Sequence, residues 1–333
     1  MTKAGRQPRE LQRILVIKLS ALGDFVLAFA AFKHIRESHP RAQITLLTTP
    51  AYETLARLTP YFDAVQTDGR PDSFSGWLDL RSRLKQPRYD RVYDLQTSAA
   101  SARIFHLLAP FPPPWSGIAF GCSLPHRNPQ RDHMHTLERH ADQLKEAGIW
   151  PDAPTEPGEA PGPDLSWVQA RMAKTGKAKP SGSARPYVML IPGGSAHRLD
   201  KRWPAARFGE LAQAFCADGY DVLIIGGPQE SAIGREIQRM EVRARDLTGR
   251  TDFAGIAAMG SKAALVVGND TGPLHLAAAA GAPTIVLFSQ ASDPMLSAPR
   301  GHVLVLQSSS LEDLSVAAVA QAANALIAGA AAT

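Results

Sequence analysis

Apolar and polar residues alternate in blocks along this chain, and the blocks have two lengths. Short β-rich apolar runs predict strands at 13–19, 43–47, 64–67, 91–95 and 117–120. Between them, apolar residues at helical spacing predict helices at 25–36, 52–58, 74–84, 98–108 and 136–147. The alternation stops at 151–186, a stretch rich in Pro, Gly, Ser and Ala in which Leu165, Val168 and Met172 keep a helical spacing. That pattern predicts a linker carrying one short helix. Strands are then predicted at 187–191, 221–225, 263–267, 284–288 and 303–306. The accompanying helices fall at 207–217, 231–240, 253–259 and from Pro273, with a last amphipathic one after Ser315.

Strands alternating with helices imply parallel sheets covered on both faces. The expected fold class is therefore α/β, with two domains of similar size, 1–160 and 161–333, and a terminal helix placed to pack back on the first domain. A ligand is expected beyond the carboxyl ends of the strands, between the domains.

Composition narrows the choice of partners. The 333 residues are 44% hydrophobic and 20% charged, with 36 Lys and Arg against 31 Asp and Glu, a formal charge of +5. This modest excess suits an anionic substrate or membrane surface, and no nucleic-acid signature with interleaved aromatics accompanies it. Cys122 and Cys216 are far apart, which argues against a disulfide framework or a structural zinc site. The polar N-terminus and the lack of an apolar run of about 20 residues point to a cytoplasmic protein, with peripheral attachment left open.

The chemistry concentrates where strands end. GNDTGPLHLAAAAGAP, from Gly268 to Pro283, is a strand that turns on Asp270, Thr271 and Gly272 and opens a helix. Such a turn suits a nucleotide diphosphate, because unbonded N–H groups and the helix dipole point to one place. Asp270 or Thr271 as a simple helix cap is the alternative. Asp24 ends SALGD after the first strand, either as a general base facing the cleft or as an N-cap. In IPGGSAHRLDKRWP, Gly193 and Gly194 permit close approach, Ser195 can donate to a phosphate, and Lys201 and Arg202 can neutralise it. Glu230, in GGPQE, is placed to accept from a ribose or to favour a helix start. His126, His133, His135 and His140 lack a metal-binding spacing and are expected, with Arg127 and Arg131, on a basic surface facing an anionic substrate. No metal or cofactor is expected. Dinucleotide, nucleophile-elbow and P-loop signatures are all missing, which weighs against oxidoreductase, hydrolase and P-loop readings.

Taken in order, ILVIKLSALGD, YDLQTSAASA, IPGGSAHRLDKRWP, LIIGGPQE and VVGNDTGPLHLAAAAGAPTIVLF make the chain resemble glycosyltransferase family 9, the bacterial lipopolysaccharide heptosyltransferases. The resemblance spans about residues 13–288 and implies a GT-B architecture, two Rossmann-like domains facing across a cleft. It implies inverting, metal-independent transfer of heptose from ADP-heptose to lipid A–Kdo or a heptosylated core at the inner membrane. Asp24 then matches the base, Lys201 the lysine near the donor phosphates and Glu230 the acidic residue near the nucleoside. Asp270 matches the donor-sugar aspartate and Thr271-Gly272 the diphosphate turn, with His275 in the same motif. A same-fold transferase with another nucleotide sugar or acceptor is the close alternative. A non-catalytic nucleotide-binding module is opposed by the joint presence of Asp24, Lys201 and Asp270.

Overall fold

The computed structural model describes residues 11–174, 185–194 and 198–331. The first sheet contains β1 (Arg13–Ile17), β2 (Gln43–Leu47), β3 (Ala64–Gln66), β4 (Arg91–Asp94), β5 (Trp115–Gly117) and β6 (Leu124–Pro125). The second contains β7 (Tyr187–Ile191), β8 (Asp221–Ile224), β9 (Arg245–Asp246), β10 (Leu265–Asn269), β11 (Thr284–Phe288) and β12 (Val303–Gln307). Every pairing in both sheets is parallel. The orders are β3-β2-β1-β4-β5-β6 and β12-β11-β10-β7-β8-β9. Counted from its own first strand, each half has the doubly wound order 3-2-1-4-5-6, whose direction reverses between the first and fourth strands. Loops diverge there, so the switch points lie beyond β1 and β4 in one half and beyond β7 and β10 in the other.

The strands form because both their faces are covered. Tyr187–Ile191 and Thr284–Phe288 are buried at every position, which is why they read as unbroken apolar runs. Covering the first sheet are α1 (Leu22–Leu27), α2 (Phe29–Ser38), α3 (Glu53–Leu58), α4 (Phe74–Lys85), α5 (Ala99–Leu107) and α6 (Thr136–Glu146). The short α7 (Val168–Lys174) lies in the connecting segment. The second half adds α8 (Ala205–Ala217), α9 (Ser231–Met240), α10 (Phe253–Gly260), α11 (Gly272–Ala279), α12 (Pro294–Ser297) and α13 (Val316–Ala331).

Some boundaries differ from the sequence reading. The fifth strand is Trp115–Gly117 instead of 117–120, because the ladder runs on from Pro114, whose carbonyl accepts from Val92 N–H at 2.8 Å. Ile118 and Phe120 carry the apolar signal but lie past the strand, with Phe120 91% exposed. The packing of the terminal helix that the described residues show is within the second half. Val319 and Ala323 of α13 are buried with Leu311 in the second-half core, against α8 and β10. That face of the second sheet has an apolar surface left to cover.

The connecting segment is a structural part of the interface. Leu165, Val168 and Met172 are buried in one core that includes Phe25, Phe29 and Tyr61 from the first half and Ile256, Ala257 and Leu274 from the second. Trp167 stacks on Phe29 at 6.1 Å between centroids. On another side, α6 docks on residues 296–300: His135 Nε2 donates to Ala298 O at 2.9 Å, and Thr136 Oγ1 to Leu296 O at 3.2 Å.

Glu138 secures this junction. Its Oε1 accepts from Gly158 N at 2.9 Å and Ala160 N at 3.3 Å, and Arg300 Nη1 lies 2.6 Å away. Burial pushes its carboxyl up, but His135, Arg300 and a backbone donor outweigh that and hold it at about 2. A depressed carboxyl contributes stability that is complete above its unfolded value of 4.5 and disappears as pH falls through about 2. Glu138→Gln is therefore expected to cost about 3 kcal/mol at pH 7. In urea unfolding, the gap from wild type should stay constant between pH 8 and 5 and close steadily below about pH 4.5. A gap that does not change with pH would remove the ion pair from the account.

Candidate functional site

The first switch point carries Asp24. Helix α1 begins at Leu22 with Ala21 at the N-cap, so Asp24 is the third helical residue and not the cap. Its Oδ2 accepts from Ala21 N–H at 3.3 Å, which stabilises the helix start with negative charge. The side chain is half-buried, open to solvent at this end of the sheet. Nearby, Lys18 is fully buried, and its Nζ donates to Leu95 O at 3.0 Å. Burial lowers that ammonium to about 8, with Asp24 and Asp94 opposing the shift.

The second switch point carries Asp270. Its Oδ2 accepts from Lys201 Nζ at 3.2 Å and from Ser292 Oγ at 3.0 Å, while Oδ1 lies 3.5 Å from His275 Nε2. Burial pushes this carboxyl up, but His275 and Lys201 outweigh it and hold the group below the usual carboxylate range. With Asp270 so engaged, Thr271 takes the N-cap position of α11 by backbone alone, making no side-chain capping bond. Of the two caps the alternative reading allowed, Thr271 is the one observed, without a side-chain bond, and Asp270 is not the cap.

Asn269 is a residue that sequence reasoning passed over. Fully buried, it accepts from Trp203 N–H at 2.9 Å and donates to the carbonyls of Pro192 at 2.9 Å and Gly193 at 3.1 Å. One amide thus ties the loop after β7, the Lys201 segment and the Asp270 turn together. The available signal was a polar residue at the end of an apolar strand, since a buried amide must find partners. Glu230 is also buried, and its Oε2 accepts from Gly227 N–H at 2.8 Å. This is the helix-start role, and it holds the side chain against Gly193, where a Cβ would come within 2.9 Å of Glu230 Cγ. Ser195 lies outside the described residues.

The two halves meet at these turns. A Cβ on Gly272 would overlap Leu22, so α11 and α1 cross where one side has no side chain. A Cβ on Gly23 would stand 3.3 Å from His275 Cδ2, so the Asp24 turn lies against the histidine that faces Asp270. The structure thus brings Asp24, Lys201, Asp270, Thr271, Gly272 and His275 to one junction, with Glu230 braced behind the loop after β7.

The other histidines are not the basic surface expected of them. His126, His135 and His140 are buried, and only His133 of the four is exposed. His126 Nε2 is paired with Asp142 Oδ2 at 2.9 Å. Their burial follows from α6, whose face packs against the sheet and the second half. His126, Asp142 and Glu146 are close enough to ligate a cation, but Asn128 Nδ2 donates to Asp142 at 2.7 Å and Arg127 N–H to Glu146 at 2.7 Å. Protein donors already serve these carboxylates.

Residues 77–313 match the profile of glycosyltransferase family 9 (heptosyltransferase). The chain belongs to this family. As a family 9 protein it is a glycosyltransferase. It is 26% identical over 320 residues to lipopolysaccharide heptosyltransferase 2 of Escherichia coli K12, covering 87% of this chain and 86% of that protein. Lipooligosaccharide heptosyltransferase 2 of Haemophilus influenzae is 26% identical over 294 residues, 84% of each chain. The fold matches the E. coli ADP-heptose lps heptosyltransferase II structure with a TM-score of 0.77, at 23% identity over 96% of this chain and 99% of that one. E. coli heptosyltransferase WaaC with ADP gives the same score at 19% identity, over 95% and 100%. The family 9 fold expected from the motifs, GT-B with two parallel-sheet domains, is the one observed. No described helix is long and apolar enough to cross a membrane.

Proposed function

We propose that this glycosyltransferase moves a heptose from ADP-heptose to the inner core of lipopolysaccharide, inverting the anomeric centre without a metal. The observation that carries the reading is the junction itself, where the Asp24 turn of one half abuts the Asp270–Lys201–His275 cluster of the other. The relatives named as lipopolysaccharide heptosyltransferases support the substrate class. In this scheme residues 1–160 bind the acceptor, lipid A–Kdo or a heptosylated core, in peripheral contact with the inner membrane from the cytoplasmic side. Residues 161–333 bind the donor.

The chemistry is a single displacement. The acceptor oxygen bonds to the anomeric carbon as the bond to the β-phosphate oxygen breaks, so configuration inverts. The acceptor proton passes to Asp24, and the electron pair leaves on ADP. Lys201 and the Thr271–Gly272 end of α11 stabilise the leaving charge. Asp270 lies beside the sugar, where a carboxylate favours an oxocarbenium-like transition state. Glu230 and Ser195 complete the donor site toward the nucleoside and phosphate.

Thermal unfolding with ADP, UDP, GDP, CMP and NAD tests the donor. ADP at a hundredfold excess over its Kd is expected to stabilise the fold by about 2.7 kcal/mol, with smaller effects from the others at equal concentration. Preference for UDP or GDP would keep a glycosyltransferase and remove ADP-heptose. Preference for NAD would overturn the scheme.

A further inference from the structure

Asp24 can act as a base only if its turn is held still, and the loop after β4 holds it. Gln96 Oε1 accepts from two consecutive backbone groups of the β1–α1 turn, Leu19 N–H at 2.8 Å and Ser20 N–H at 3.0 Å. These amides lie just before the helix start and have no partner in either strand ladder. The other supports of the turn hold different atoms. Thr49 Oγ1 donates to Leu19 O at 3.3 Å, and Arg70 donates to Ser20 Oγ.

Gln96 is itself fixed from below. Asp94, fully buried, accepts through Oδ1 from Gln96 N–H at 3.0 Å and Thr97 N–H at 3.1 Å. Thr97 adopts φ 42°, in the left-handed region that a β-branched residue ordinarily avoids. Such a conformation is strained and persists where the surroundings over-determine it. Here the Asp94 bonds, and those from Leu95 N–H to Ile17 O at 3.1 Å and Lys18 Nζ to Leu95 O at 3.0 Å, enforce it. The result is a glutamine aimed sideways across the switch point, from the fourth strand to the first.

From this geometry we infer that Gln96 is a positioning residue for the reaction: its side-chain oxygen clamps the Leu19–Ser20 amides and thereby sets where the Asp24 carboxylate stands. Asp94 and the left-handed Thr97 serve the clamp by fixing the direction of Gln96. The inference rests on Asp24 being the base, and adds a residue that does not touch substrate. Displacement of a reacting group by about 1 Å costs up to roughly a hundredfold in rate, so the clamp belongs in kcat and not in donor affinity.

The test uses the full chain with Gln96→Met, similar in length but without the oxygen acceptor, and Gln96→Glu, which keeps one. Amide hydrogen exchange across residues 18–25 reads the clamp with no substrate present. Turnover with ADP-heptose and lipid A–Kdo, and ADP affinity, read its effect. Gln96→Met is expected to speed exchange of that segment by about tenfold, lower kcat by roughly 30-fold and leave the ADP Kd within about twofold. Gln96→Glu should restore exchange and return kcat to within about threefold of wild type. Unchanged exchange in Gln96→Met overturns the clamp, as does loss of ADP affinity in step with kcat. If Gln96→Met does not fold, Gln96→Glu decides: fast exchange or poor turnover there overturns the inference. Asp24→Asn in the same assay separates the two ideas. Full activity in Asp24→Asn removes the base while the exchange result still judges the clamp, and an inactive Asp24→Asn beside a fully active Gln96→Met removes the clamp alone.

Discussion

Asp24→Asn is expected to lower kcat by about a thousandfold while leaving the affinity for ADP within about twofold. The substitution separates chemistry from structure because the asparagine amide oxygen can still accept from Ala21 N–H, the bond that Asp24 makes at the start of α1. The helix start therefore keeps its support, losing only the favourable charge near its dipole, worth about 0.3–1 kcal/mol. Proton acceptance is lost entirely, since an amide cannot take the acceptor proton at neutral pH. Steady-state turnover together with ADP titration checks this. Comparable losses in both would assign Asp24 to donor binding, and retained turnover would place the base elsewhere.

Lys201→Ala is expected to have the second largest effect, weakening ADP binding by about tenfold to a hundredfold and lowering kcat further. Lys201 Nζ lies 3.2 Å from Asp270, whose side chain is only 12% exposed. Without the lysine, burial acts on that carboxylate against His275 and Ser292 alone. The Asp270 carboxyl should then rise toward its unfolded value. A depressed carboxyl contributes stability above its unfolded value that is lost as pH falls through the folded one, so the variant should also begin acid unfolding at higher pH. Isothermal titration with ADP and an acid-unfolding curve test both halves. Unchanged ADP affinity would confine Lys201 to holding Asp270, and an unshifted acid curve would deny that the pair matters to the fold.

Much of this protein follows from the chain alone. Gln43–Leu47, Tyr187–Ile191 and Thr284–Phe288 are strands as the apolar runs predict, because a parallel strand covered on both faces has no polar side to interrupt its pattern. Strands ending in turns that open helices likewise marked Asp24 and Asp270, since the chemistry of such folds lies at the carboxyl ends of strands. The two-residue strands Leu124–Pro125 and Arg245–Asp246 left no signal, being too short for any periodicity. The histidines of 126–140 read as a charged surface because composition cannot tell which face of a helix a tertiary partner will cover. Only the tertiary structure decided that Gly272 accommodates Leu22, that Gly23 lies against His275, that Asn269 braces three loops and that Gln96 reaches the Asp24 turn. Each of those contacts joins segments dozens to hundreds of residues apart. Local periodicity sets which face of an element is buried, but strand order decides which loops become neighbours, and that order is settled by the packing of the whole.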